Sequence, residues 1–203
     1  MLACGLVGNT ALLRCSKDAM VWRLSLRLQR ASPFPFCLRT RIICMARSLN
    51  PSFLREAIRL SMEKMQADAG GPFGAVIVRD GQIIGRGWNQ VTSTMDPTAH
   101  AEVVAIRAAC IHQQSFSLAG CEIYSSCEPC PLCMAAIFWS RLDAIYYAAT
   151  CDDAAAAGFD DRNFYEEIRK PAKERSIPMQ QGLRDEALLP LHAWMNKIDR
   201  IRY

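Results

Sequence analysis

The chain has 203 residues, 51% of them hydrophobic, with 24 Lys and Arg against 20 Asp and Glu and a net charge of +4. That length suits one domain with a full core and room for an added segment, and no apolar run is long enough to span a bilayer. Residues 1–44 hold seven basic residues and one acid, Asp18, which leaves seventeen basic against nineteen acidic in the remainder; the body of the chain therefore has no charge excess for gripping a polyanion.

The stretch from Met1 to Cys44 is Arg-rich, and Ser32-Pro33-Phe34-Pro35-Phe36 interrupts any continuous helix there. Such a composition fits an organelle-targeting presequence, and a basic membrane-surface helix around Val21 to Arg30 is a weaker alternative. The preferred reading is an upstream start, with Met45 opening the working domain over 45–203, because the first helical pattern begins just after it. On either reading 1–44 is expected to be disordered or peripheral.

From residue 50 the pattern is regular. Asn50-Pro51 precedes an amphipathic helix over Phe53 to Met62, with Asn50 as its cap, and Gly70-Gly71-Pro72 ends it. Gly74 to Arg79 and Gln82 to Trp88 read as strands joined by the Asp80-Gly81 turn. A helix then runs from about His100 to Ile111, Glu122 to Ser125 is a buried strand, a helix opens at Cys130 and continues through Trp139, and Asp143 to Ala148 is another strand. Strands alternating with helices argue for an α/β domain whose sheet is mainly parallel behind an initial hairpin. Ala187 to Met195 is too apolar for a solvated tail and should pack as a helix against protein.

His100-Ala101-Glu102 and Pro129-Cys130-Pro131-Leu132-Cys133 carry the chemistry. Three donors and one spare carboxylate are the inventory of a hydrolytic zinc site: His100, Cys130 and Cys133 hold the ion, a fourth position stays open for water, and Glu102 moves protons. Cys130 and Cys133 share a helical face, and a helix N-terminus favours their thiolates. His100 and Glu102, two apart, need the irregular first turn of a helix after Asp96-Pro97-Thr98. A closed structural site with Cys127 as fourth ligand is the competing reading, but it leaves Glu102 unexplained. Disulfides fit less well, since nothing marks the domain as secreted; Cys110, Cys121 and Cys151 read as small buried hydrophobes.

These two motifs, with Gly70-Gly71-Pro72-Phe73-Gly74 and Ala156-Ala157-Gly158-Phe159-Asp160-Asp161, resemble the cytidine deaminase superfamily, and within it the small bacterial-type guanine deaminases. The likeness runs from about residue 52 to Tyr203. It implies a three-layer α/β/α fold with a central mixed five-stranded sheet, one catalytic zinc per chain, and hydrolytic deamination of guanine to xanthine and ammonia by a zinc-activated water. Carried over position by position, it gives Glu102 as the proton shuttle and Phe73, Asn89, Ala101, Trp139, Asp161 and Tyr203 as substrate contacts. By themselves, Phe73 would be an ordinary core aromatic, Asn89 a turn residue and Asp161 a helix cap.

The resemblance further implies a cytoplasmic homodimer acting on a small purine, with neither nucleic acid nor membrane as partner. In it the C-terminal segment is swapped between protomers, and Tyr203 closes the partner's site; a tail docked on its own chain is the alternative. Guanosine deaminase and tRNA adenosine deaminase are the rival activities. A non-catalytic zinc-binding subunit is disfavoured because Glu102 is present.

Overall fold

The computed structural model describes residues 48–159 and 161–202. The N-terminal extension, the position of Met45 and Tyr203, for which a closing role was expected, lie outside the described residues. Helix α1 (Pro51–Gln66) starts where expected: the Asn50 side chain accepts the Ser52 N–H at 3.0 Å, and Pro51 occupies a position whose N–H the helix does not need. Strands β1 (Gly74–Arg79) and β2 (Gln82–Trp88) form a hairpin. Its Asp80-Gly81 turn has φ of 50° and 76°, the left-handed pair that a two-residue hairpin requires.

A short helix α2 (Val91–Thr94) leads to α3 (Ala101–Gln113), followed by β3 (Glu122–Cys127), α4 (Pro131–Trp139) and β4 (Ala144–Ala149). Beyond β4 come α5 (Cys151–Ala156), α6 (Arg162–Arg169), one 3-10 turn and α7 (Arg184–Asn196).

The sheet order is β2-β1-β3-β4, and only β3–β4 is a parallel pair. The expectation of a mainly parallel sheet is therefore corrected. β2, β3 and β4 do run in one direction, as helix-linked strands should, but β1 is inserted antiparallel between β2 and β3. Ala75, Val76, Ile77 and Val78 are all buried, so β1 has no solvent face to present and belongs in the centre. The described residues form four strands where five were expected. Residues 170–183, between α6 and α7, carry Pro171 and Pro178, which disfavour strand pairing, and form no strand beside β4.

The three layers hold. Alternation along β1 sends Val76 and Val78 toward α1, where Leu60, Tyr124, Phe53 and Leu54 meet them, while Ala75 and Ile77 face α3 and α4 with Ala105, Ile106, Ile123 and Ile137. Truncating the fully buried Ile77 to Ala would cost about 2–5 kcal/mol. β2 lies against the backbone of α3: a Cβ on Gly87 would stand 2.2 Å from the Ala101 carbonyl. This contact seats the start of α3 at one end of the sheet.

Helix α7 forms over the expected stretch. None of its residues is buried, and Leu189, Leu191 and Met195 are 66%, 57% and 64% exposed. No helix among the described residues is long and apolar enough to cross a membrane.

Candidate active site

Two helix starts converge at the edge of the sheet. His100 is the extended residue just before α3, and Cys130 stands in the same position before α4. The turn entering α3 is held by Asp96, whose carboxylate accepts both the Thr98 N–H (2.8 Å) and its hydroxyl (2.7 Å). His100 and Glu102 thus escape the helical spacing that would send them apart, as their separation required.

His100 Nδ1 is 3.5 Å from both Cys130 Sγ and Cys133 Sγ, and the two sulfurs are 3.6 Å apart. Tetrahedral zinc, with Zn–S of about 2.3 Å and Zn–N of about 2.0 Å, spaces its donors by about 3.5–3.8 Å. The triangle fits the ion without rearrangement. Cys130 is held at about 4 by its hydrogen-bond contacts with Cys133 and His100 working against burial, whereas the Cys133 thiol is pushed up by its contact with Cys130 and by burial. His100 is raised, chiefly by its bond to Cys130.

Glu102 is buried beside this triangle. Its Oε1 accepts from Ser125 Oγ at 2.9 Å and its Oε2 from Cys133 Sγ at 3.2 Å, and burial raises its pKa. Cys127 is not in the triangle. Its thiol donates to the Thr150 carbonyl at 3.4 Å and is pushed up to about 11 by burial, the behaviour of an inert thiol.

A cavity of about 450 Å³ opens onto the site, lined by His100, Ala101, Glu102 and Cys130 and also by Phe73, Asn89 and Asp161. That volume suits a small heterocycle. Phe73 meets the edge of Phe159 with centroids 4.7 Å apart. Asn89 is buried, and its Oδ1 accepts the backbone N–H groups of Gly71 (3.4 Å) and Val91 (3.2 Å). Asp161 precedes α6 but its side chain does not cap that helix; Oδ1 is buried in the cavity wall.

Trp139 is not brought to the cavity. It sits at the far end of α4, 63% exposed, with the Arg141 guanidinium over its ring. Sequence reasoning missed Ser125, Phe164 and Glu128, which support or line the site. A hydroxyl within the buried run of β3 was the available signal for Ser125, since a buried hydroxyl needs a partner.

Three nitrogen and sulfur donors at zinc spacing beside a buried carboxylate, at helix starts on a mixed sheet, define a zinc-dependent hydrolytic deaminase. The model of the cytidine and deoxycytidylate deaminase zinc-binding region matches residues 48–149, and the chain belongs to that family. It is 53% identical over 152 residues to guanine deaminase of Bacillus subtilis (strain 168), covering 75% of this chain and 97% of that protein. The X-ray structure of guanine deaminase from Bacillus subtilis superposes with a TM-score of 0.74 at 51% identity, over 77% of this chain and 99% of the other. A tRNA-specific adenosine deaminase of Aquifex aeolicus (strain VF5) is 43% identical over 96 residues, 47% of this chain and 60% of that protein.

Proposed function

We propose that the protein hydrolyses guanine to xanthine and ammonia, with the cavity above His100, Cys130 and Cys133 as the active site. The observation that carries this reading is the Asp161 carboxylate in the wall of the cavity that also holds Glu102. Zinc held by the three donors would supply the Lewis acidity that makes water a nucleophile near neutral pH. Glu102, through Oε2, would carry one proton of that water to purine N3 and the second, from the hydroxyl added at C2, to the amine, which departs as ammonia. Its other oxygen is held by Ser125, which orients the carboxylate for the transfer.

The remaining contacts select the base. Phe73 packs on the purine, and Asn89, with its Oδ1 already engaged, offers its amide N–H groups to purine acceptors. Ala101, at the start of α3, sits beneath the base. Asp161 accepts the N1–H and exocyclic N–H of guanine. Adenine presents a bare N1 there and would meet repulsion, a mismatch that supports discrimination on the order of 10⁴.

The working unit is a cytoplasmic homodimer in this reading. The exposed Leu189, Leu191 and Met195 of α7 support a second copy as their cover, with the C-terminal segment crossing between protomers and Tyr203 closing the partner's site. Deleting Ile201 to Tyr203 should depress guanine turnover while the dimer and the zinc persist.

Ammonia release from guanine, guanosine, cytosine, cytidine, adenine and tRNA tests the assignment. Guanine should be turned over fastest. A preference for guanosine or tRNA would overturn the base reading while leaving the deaminase family intact.

A further inference from the structure

Asp161 immediately precedes α6 and Tyr165 lies one turn further on, so the two side chains share a face of that helix. No residue of α6 is buried, and Phe164 and Ile168 are 56% and 60% exposed. Apolar packing therefore holds α6 only weakly. The Arg162–Asp152 ion pair lies on the surface, where solvent screens it.

The half-buried Tyr165 makes a different contact. Its hydroxyl donates to the Pro129 carbonyl at 2.8 Å, across 36 residues of sequence. Pro129 directly precedes Cys130. The same loop is fixed from its other side by Glu128, whose N–H donates to Ala149 O at 2.8 Å and whose carboxylate accepts the Cys151 N–H at 3.1 Å. The loop is thus a rigid anchor, and Tyr165 ties α6 to it.

We propose that Tyr165 is a positioning residue for base recognition, its hydroxyl on the Pro129 carbonyl setting the separation between the Asp161 carboxylate and the Cys130 loop. The inference rests on the guanine reading. Tyr165 does not line the cavity, so it acts through Asp161 rather than on the purine. A base spanning from Glu102 to Asp161 meets both groups only if α6 stays in register with the loop. Without the tie, α6 drifts and the base is held at one end only.

The test is Tyr165→Phe in the full chain, assayed with guanine and with 2-aminopurine, which keeps the reacting C2–amine but has no N1–H. The KM for guanine should rise roughly three- to tenfold, the size of one neutral hydrogen bond, while kcat stays within about twofold. Zinc content should not change, and kcat/KM for 2-aminopurine, which keeps only the exocyclic N–H for Asp161, should fall less than that for guanine. In an Asp161→Asn background the same substitution should add nothing, since the two act on one contact. An unchanged guanine KM, an equal loss on both purines, loss of zinc, or a full additive penalty in that background would each overturn the proposal. Wild-type protein inactive on guanine sinks the guanine reading and this inference together. Wild-type activity with an indifferent Tyr165→Phe sinks this inference alone.

Discussion

Ser125 Oγ donates to Glu102 Oε1 across 2.9 Å, both groups being buried. One carboxylate oxygen is thereby committed to β3, and the other faces the donor triangle through Cys133. Ser125→Ala should keep zinc but leave Oε1 without its donor, costing about 1–3 kcal/mol of stability. Turnover should fall roughly tenfold, because the carboxylate remains but is no longer held in place. Thermal unfolding together with steady-state kinetics checks both effects.

Glu102→Gln should fold and retain zinc, because the side chain is not among the three donors. Turnover should drop by at least about 10²-fold, the low end for general acid–base catalysis. Metal analysis beside single-turnover kinetics separates the two properties; near-normal turnover would remove Glu102 from the chemistry.

Cys127→Ser should bind one zinc per chain, since the Cys127 thiol is engaged by the Thr150 carbonyl and lies outside the triangle. Cys133→Ser should lose stoichiometric zinc. The pair of variants, dialysed against a weak chelator and assayed for metal, distinguishes an open catalytic site from a closed four-ligand one.

Asp161→Asn should keep zinc and weaken guanine turnover. The amide offers one matched and one mismatched end to two N–H donors, and charge-assisted bonds contribute on the order of 1.5–3 kcal/mol each. A fall of about 10-fold or more in kcat/KM is expected, read from initial rates; unchanged guanine kinetics would remove Asp161 from base selection.

Glu56 on α1 is lowered to about 2 by hydrogen bonds from Arg59 and Arg86, which ties the helix to β2. Its folded pKa lies below the unfolded value of 4.5, so the stabilisation is present above that value and is lost as pH falls toward about 2. Both arginine partners are about half exposed, and solvent screening limits the effect to about 1 kcal/mol or less. Urea denaturation of Glu56→Gln should show a small loss at pH 7 that shrinks below about pH 4.5 and closes only as pH falls through about 2.

Local chemistry was legible in the chain itself. His100-Ala101-Glu102 and Pro129 to Cys133 stand out because a metal constrains residue type and short-range spacing together. The β1–β2 hairpin was legible because the Asp80-Gly81 turn and strand periodicity are properties of neighbours. The insertion of β1 between β2 and β3 was not, since strand order is decided by which long-range pairing buries the most apolar surface, and local pattern does not carry that choice. The same holds for Trp139, the last residue of a helix that starts in the site, carried away from the cavity by that helix's length. Ser125 on Glu102 and Tyr165 on Pro129 join residues 23 and 36 positions apart, and such partners exist only once the sheet and helices have closed around them. The sequence determined the donors and the acid; the tertiary structure alone decided their distances, because those are set by packing between elements and not by the order of residues within them.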